Sequence, residues 1–148
     1  MKCSRATRAA LVSVMMTAAG WVHAGPPVDV TFKNLSSTQA VLTVVTSNES
    51  STYQIASPKP SDKVASQGAT LFRVQRVISP DVNAAMVRYS IGSKTCAFGT
   101  TYQMRTLPGG IKQPLWTKTA TPSGGANCTA MITRTNGDYS WAVEFTMR

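Results

Sequence analysis

The sequence predicts an all-β protein: an antiparallel two-sheet β-sandwich of about seven to eight strands, Greek-key or jelly-roll-like, with one disulfide. Three observations predict this fold class. No helical periodicity of convincing length follows residue 25, and Thr, Val and Ser dominate between Pro and Gly. Two hairpins align with their apolar side chains on shared faces. Two cysteines remain after an export signal is removed.

The first 24 residues are predicted to be a secretory signal peptide. Three positive charges precede residues 9–21, a mostly apolar stretch that is too short to span a bilayer. Small residues then favour a cut after Ala24. The alternative, an N-terminal helix of the domain, is opposed by Gly25-Pro26-Pro27, which would break it. We therefore expect a secreted or periplasmic protein whose single domain is residues 25–148.

Cys96 and Cys128 remain once the signal peptide and its Cys3 are removed. In an exported protein an even pair predicts a disulfide, and two free buried thiols are the alternative. In the chain-entropy model, a closed loop of about 33 residues stabilises the fold by roughly 3.7 kcal/mol. One bridge does not make a disulfide scaffold, so the core has to supply most of the stability.

The first predicted strands follow the signal peptide directly. Residues 28–35 alternate, with Val28, Val30 and Phe32 on one face. Residues 39–46 are more continuously apolar, which predicts a strand covered on both sides or at the centre of the sandwich. Both strands are expected to contribute to the core between the sheets.

The next predicted elements are weaker. Residues 47–68 are polar, and Tyr53 and Ile55 fit one short edge strand that prolines stop. Residues 69–78 form another predicted strand, in which Arg76 interrupts the apolar face and is expected at the rim. That face is formed by Phe72, Val74 and Ile78.

The middle hairpin is predicted around Gly92-Ser93, a two-residue turn of type II′. In this register the apolar side chains of both strands lie on the same face. A slip of one residue would turn the apolar side chains of one strand toward water, so their shared face supports the register. The register predicts three opposed pairs: Ile91 with Lys94, Tyr89 with Cys96, and Val87 with Phe98.

The closing hairpin is predicted around Asn136-Gly137 as a type I′ turn. Its inward face assigns Tyr139, Trp141 and Phe145 to the core, with Tyr139 the nearest to solvent. The register predicts five pairs: Thr135 with Asp138, Arg134 with Tyr139, Ile132 with Trp141, Ala130 with Val143, and Cys128 with Phe145. Both hairpins turn a cysteine inward, so the disulfide either crosses between sheets or joins neighbouring strands.

Between the hairpins, residues 106–127 hold three prolines and four glycines and are predicted to be a long loop, broken only by a short strand near residues 115–119. Long loops of this kind are often functional. A Trp between lysines suits a sugar ring, an anionic lipid headgroup or a protein partner, whereas the alternative is that it caps the open end of the sandwich. The candidate binding residues are Ile111, Lys112, Leu115, Trp116 and Lys118.

Several chemistries are excluded by composition. Cleavage removes His23, the one histidine, so catalysis and zinc binding through histidine are excluded. No glycine-rich phosphate loop is present, and two cysteines cannot form a four-cysteine metal site. The six acids, which are too sparse for a calcium site, show no convincing carboxylate pair in the linear order. We expect no metal and no cofactor.

The mature chain is basic, with twelve Lys and Arg against six acids and a net charge of +6. The cations are scattered, which opposes specific nucleic-acid binding and is compatible with weak attraction to anionic surfaces. The sequence therefore predicts an exported, non-enzymatic binding module that acts through end loops on a protein, glycan or anionic lipid partner. The alternative is a membrane-active protein that binds lipid or forms pores, and a carboxylate-based hydrolase is third.

Overall fold

The computed structural model describes residues 23–148, so most of the predicted signal peptide (1–24) lies outside the described residues. Strands dominate, and there is one short helix. The elements are β1 (Val28–Asn34), β2 (Ala40–Leu42), α1 (Ser47–Ile55), β3 (Lys63–Val64), β4 (Ala69–Val74), β5 (Val82–Ile91), β6 (Lys94–Thr106), β7 (Lys112–Ser123), β8 (Cys128–Thr135) and β9 (Trp141–Met147).

The strands form two sheets. Sheet A has the order β4-β1-β9-β8, and sheet B has the order β3-β2-β5-β6-β7. Nine strands within residues 23–148 exceed the predicted seven to eight. The expectation of purely antiparallel pairing is also wrong, because β1 and β9 are parallel neighbours in the middle of sheet A. Hairpins join antiparallel strands, but these two come from opposite ends of the chain and no turn fixes their direction.

The core lies between the facing sheets. Strands β1 and β9 alternate strictly, with Val28, Val30 and Phe32 of β1 buried as predicted. Aromatic rings from the two sheets contact each other across the core, since Phe32 stacks on Tyr89 at 3.7 Å between ring centroids. Such alternation places every second side chain on the inner face and leaves the outer faces to polar residues.

Helix α1 replaces the predicted edge strand at Tyr53 and Ile55. Thr46 caps it, because its side chain accepts from the backbone N–H of Glu49 while the Glu49 carboxylate accepts from that of Thr46. This capping box begins a helix in a sequence without helical periodicity.

The predicted strand 39–46 is reduced to β2 and ends at Leu42. Val41, Val44 and Val45 are exposed, so the expectation of a covered strand is wrong.

Strand β4 is shorter than predicted and ends at Val74. Phe72 and Val74 are buried as expected, but Ile78 is 75% exposed in the loop that follows. Arg76 also lies in this loop, and it is half-buried. Asn83 stabilises the point where β4 ends and the loop begins. Its side-chain amide donates to the carbonyls of Pro26 and Val74, in place of a neighbouring strand.

The middle hairpin is confirmed, with all three predicted pairs in β5 and β6. The closing hairpin keeps its predicted inward face but not its pairing. Its loop is longer than a two-residue turn, since the backbone N–H of Asn136 donates to the carbonyl of Ser140. The observed pairs are Thr135 with Trp141, Arg134 with Ala142, Ile132 with Val143, Ala130 with Phe145, and Cys128 with Met147.

The longer loop has a physical cause. Tyr139 adopts a left-handed backbone conformation at φ 66°, and Asp138 accepts from the N–H and hydroxyl of Ser140. From Cys128 to Ile132 the pairing is shifted by two residues, which preserves the face of each of these side chains. At Arg134 and Thr135 the shift is three, because a β-bulge lies between Ile132 and Arg134. Trp141 and Phe145 are buried as predicted. Tyr139 leaves the hairpin ladder and is 40% exposed, so its assignment to the core is wrong.

The predicted long loop of residues 106–127 is mostly strand. Strand β7 pairs with β6 over its whole length, from Lys112 opposite Thr106 to Ser123 opposite Thr95. As the edge of sheet B, β7 tolerates proline, so the prolines of this segment do not indicate a loop. Only the turns 107–111 and 124–127 remain without regular structure.

The disulfide between Cys96 and Cys128 is confirmed. Cys96 lies on β6 of sheet B and Cys128 on β8 of sheet A, so the bridge crosses between the two sheets. Of the two arrangements that the sequence allows, the structure has the inter-sheet one.

Candidate functional site

Loops gather at both ends of the two sheets. We call the end near Trp141 the aromatic end and the end near Met147 the disulfide end. The strand register assigns each loop to one of them. The aromatic end holds loops 75–81, 107–111 and 136–140, and the disulfide end holds loops 35–39, 65–68, 92–93 and 124–127.

The aromatic end exposes large apolar side chains. Their exposed fractions run from 39% for Leu107 to 75% for Ile78. Among residues 23–148, none of the exposed large hydrophobic residues lies in a loop of the disulfide end. Six further exposed large hydrophobic residues among residues 23–148 lie on strands, on α1 or in the segment 43–46, with Val45 at 69% the most exposed of them. The loops of the aromatic end hold the other five, which makes these loops the candidate interaction surface. The five residues, which we call the apolar tip, are Val77, Ile78, Leu107, Ile111 and Tyr139.

A cluster of four aromatic rings supports the apolar tip from below. Tyr102 of β6 is buried, and its ring centroid lies 5.8 Å from those of Trp116 and Tyr139 and 6.0 Å from that of Trp141. The Trp116 indole donates to the carbonyl of Tyr139 at 3.2 Å. The hairpin β6–β7 and the loop 136–140 are thereby joined, and burial raises the pKa of Tyr102.

The five predicted binding residues occupy three different surroundings. Ile111 and Lys112 are exposed beside the turn 107–111, at the aromatic end. Leu115 and Trp116 are half-buried on opposite faces of β7, as strand neighbours must be. Lys118 is exposed further along the same strand, opposite Thr100. The structure thus brings Ile111 and Lys112 to the apolar tip and separates them from the other three.

Cations flank loops at both ends. Arg105 and Lys112 are exposed on either side of the turn 107–111, and Lys94 and Arg148 are exposed beside the loops 92–93 and 124–127. The loops of the disulfide end themselves contain no charged residue. The aromatic end carries acids too, Asp81 and Asp138. Hydrogen bonds from the hydroxyl and the N–H of Ser140 lower the pKa of Asp138, so this carboxylate is ionised and held within its own loop.

Four members of the apolar tip, Val77, Ile78, Leu107 and Tyr139, lie outside the predicted binding set, although Leu107 falls within the predicted loop 106–127. The alternation of residues 69–78 predicts a strand that includes Val77 and Ile78, and the closing hairpin predicts a core position for Tyr139. The turn residues Ser79-Pro80-Asp81 directly after Ile78 are the sequence feature that indicates a loop here. No comparable feature identifies Tyr139, whose exposure depends on its left-handed backbone.

The outer face of sheet A offers a second surface, a shallow cavity of about 550 Å³. Its charges are paired with each other. The Arg73 guanidinium donates to both oxygens of Asp29 at 2.6 and 2.9 Å, and Arg134 lies 3.8 Å from the same carboxylate. The hydrogen bond from Arg73 lowers the pKa of Asp29. The face therefore presents little unbalanced charge to a ligand.

No three His, Cys, Asp or Glu side chains within residues 23–148 are grouped to hold a metal ion. Over the same range, no helix is long and apolar enough to cross a membrane. No family model matches the chain, and no curated protein matches it significantly in sequence. The residues of the aromatic end are therefore the basis for assigning a function.

Proposed function

We propose that the protein is an exported, non-enzymatic binding module, a β-sandwich of the Greek-key or jelly-roll kind that acts through the loops of its aromatic end. The observation that carries the proposal is the apolar tip, five exposed large side chains at one end and none in the loops of the other. Its partner is an extracellular or periplasmic protein, glycan or lipid surface. Apolar and aromatic anchors of this type supply most of the energy in protein interfaces.

The aromatic end is built to hold its loops in place. The ring of Tyr102 contacts Trp116 and Tyr139, and the Trp116 indole is hydrogen-bonded to the Tyr139 carbonyl. Fixing the loop 136–140 before binding reduces the entropy lost on association. Trp116 therefore supports the binding surface from below. Ile111 and Lys112 are the exposed residues of that surface, which contact the partner.

The carboxylates favour binding over hydrolysis. Asp29 and Glu144 lie on the central strands of sheet A, and each is occupied by a cation: Arg73 for Asp29 and Lys33, at 2.7 Å, for Glu144. A general acid in a hydrolase needs a raised pKa, whereas Arg73 lowers the pKa of Asp29. This pairing supports a structural role for both acids.

Membrane docking is the second candidate function. Arg105 and Lys112 are exposed beside Leu107 and Ile111, which combines cations with aliphatic side chains at one end. Cations near an anionic bilayer contribute about 1 kcal/mol each, and this contribution is screened by salt. The expected mode is peripheral docking with the apolar tip facing the headgroups.

A pair of matched variants tests the proposal. Ile111→Ser removes an apolar side chain that is 62% exposed at the aromatic end, and Leu71→Ser removes one that is 65% exposed on sheet A. Each protein is immobilised and exposed to extracellular and periplasmic fractions, and the recovered partner is titrated by surface plasmon resonance. Vesicles with and without anionic lipid are tested in parallel by cosedimentation at low and high salt.

We expect Ile111→Ser to weaken binding at least about tenfold and Leu71→Ser to leave it unchanged. Salt-sensitive binding to anionic vesicles alone favours the membrane candidate. The aromatic end is excluded as the binding surface when both variants bind as the unmodified protein does. Sugar release from an oligosaccharide panel that is abolished by Asp29→Asn would overturn the non-enzymatic proposal.

A further inference from the structure

Arg76 differs from the three arginines that form ion pairs within residues 23–148. Arg73, Arg88 and Arg134 each contact a carboxylate, but the guanidinium of Arg76 forms no ion pair with any acid of residues 23–148. It is nevertheless half-buried. A partly desolvated guanidinium without a counter-ion is a costly arrangement that an anionic ligand would relieve.

The Arg76 side chain is held in one orientation. Its Nε donates to the carbonyl of Ala84 at 3.3 Å, and its Nη1 donates to the hydroxyl of Ser51 on α1 at 2.9 Å. Its backbone is fixed as well, by Asn83 on one side and Gly25 on the other. Within residues 23–148, Nη2 makes no hydrogen bond. One face of the guanidinium fork is thus positioned and still has a donor to offer.

Arg76 lines a cavity of about 400 Å³ on the outer face of sheet B, between α1 and the loop 75–81. This volume lies in the range of small-molecule sites. Its walls combine apolar side chains, among them Val82 and Met86 of β5, with a few polar groups. The polar groups beside Arg76 are those of Asn48, Thr101 and Gln103.

We propose that this cavity binds a small organic anion, a carboxylate with a short apolar body. The carboxylate would accept from the Arg76 guanidinium, and the apolar body would lie on Val82 and Met86. The arrangement of one cation, a few amide and hydroxyl groups and an apolar wall matches this class of ligand. The site is separate from the apolar tip, apart from the neighbouring Ile78, and does not depend on the proposed function.

Hexanoate is the probe, and hexanamide is its neutral analogue. Binding is followed by chemical-shift changes of the labelled protein at the Met86 methyl and the Thr101 and Gln103 amides. For a ligand of about eight non-hydrogen atoms we expect a Kd of about 1 mM. The amide should bind at least about tenfold more weakly, because its neutral carbonyl oxygen can accept from Arg76 but carries no negative charge to form an ion pair with the guanidinium.

Two variants separate charge from space. Arg76→Gln removes the cation, and Ala84→Phe fills the cavity while leaving Arg76 in place. Each should weaken hexanoate at least about tenfold. Arg134→Gln, an exposed arginine of sheet A, is the control and should change nothing. Thermal unfolding of each variant checks that the fold survives.

The proposal is overturned if hexanoate gives no saturable shifts at these residues up to about 20 mM, far above the expected Kd. It is equally overturned if hexanamide binds as tightly as hexanoate, or if a folded Arg76→Gln variant binds as the unmodified protein does. Shifts that depend on Arg134 instead of Arg76 would overturn it as well.

Discussion

The two ends of the protein are held together by different interactions. The disulfide end joins the two sheets covalently through Cys96 and Cys128, and its loops are short, polar and uncharged. The aromatic end has no such bridge and relies on ring contacts around Tyr102, while Ile78 and Ile111 remain exposed. The covalent link between the sheets therefore lies at one end, and the exposed apolar side chains lie in the loops of the other.

Backbone packing differs between two turns. A side chain at Gly124 of the disulfide end would place Cβ 2.0 Å from the Ser93 carbonyl oxygen. At Gly109 and Gly110 of the aromatic end, a Cβ would meet nothing within 4 Å, and the same holds for Gly92 and Gly125 of the disulfide end. The close packing of main chain against main chain is therefore local to Gly124, whereas the turn 107–111 projects into open space.

The largest expected effect is loss of the disulfide. Cys96 and Cys128 are 32 residues apart, and the chain-entropy model predicts that replacing both by Ser lowers the free energy of unfolding by about 3.7 kcal/mol. Urea unfolding followed by tryptophan fluorescence measures it. Single-cysteine variants under reducing conditions are the control. A loss below about 1 kcal/mol would contradict the view that the bridge stabilises this end.

The next effect comes from one substitution made at both ends. Gly110→Ala places a side chain at φ 79° in open space, and Gly124→Ala places one at φ 62° against the Ser93 backbone. The left-handed conformation costs each variant about 1 kcal/mol. The clash adds about 2 kcal/mol at Gly124 alone. Equal losses in urea unfolding would show that the two ends are packed alike.

The smallest expected effect is a response of the aromatic end to acid. Hydrogen bonds from Arg73 and Ser140 lower the pKa values of Asp29 and Asp138 below their ordinary 3.8. Carboxylates with lowered pKa stabilise the folded state above pH 3.8, and this stabilisation is lost as the pH falls through the folded pKa. Because Asp29 is 40% exposed, its share is only about a few tenths of a kcal/mol.

Amide hydrogen exchange between about pH 5 and pH 2, corrected for intrinsic rates, measures the acid response. Protection should fall in the loop 136–140 and stay constant in the loops of the disulfide end, which contain no titratable side chain. Asp138→Asn keeps an oxygen acceptor for Ser140 and removes the titration, so its loop should not respond. Equal loss of protection at both ends would remove the distinction.

Local patterns predicted the middle hairpin and the inward faces well. The Gly92-Ser93 turn is short, so it specifies the register of β5 and β6 without help from the rest of the protein. The two inward cysteines were also predicted, and their pairing is confirmed. These features depend on side-chain alternation and on turn length, which the sequence displays directly.

Three features were not predicted from the sequence: helix α1, the full length of β7 and the exposure of Tyr139. Helix α1 depends on Glu49, which caps its first turn and pairs with Arg88 of β5 at 2.9 Å. Burial raises the pKa of Glu49, but the N–H groups of Val45 and Thr46 together with Arg88 lower it overall. The extension of β7 likewise depends on β6 as its template, and the exposure of Tyr139 depends on one backbone angle. No periodic pattern encodes any of these.

The parallel pair in sheet A has a consequence for how the chain is assembled. Strand β9 lies between β1 and β8, although it is distant from β1 in sequence. Until residues 141–147 pair with β1, sheet A is divided into two halves with a gap at its centre, and Phe32 has no neighbour at the position of Phe145. Completion of the core therefore depends on a pairing between strands that are distant in sequence, and contacts of this kind slow folding.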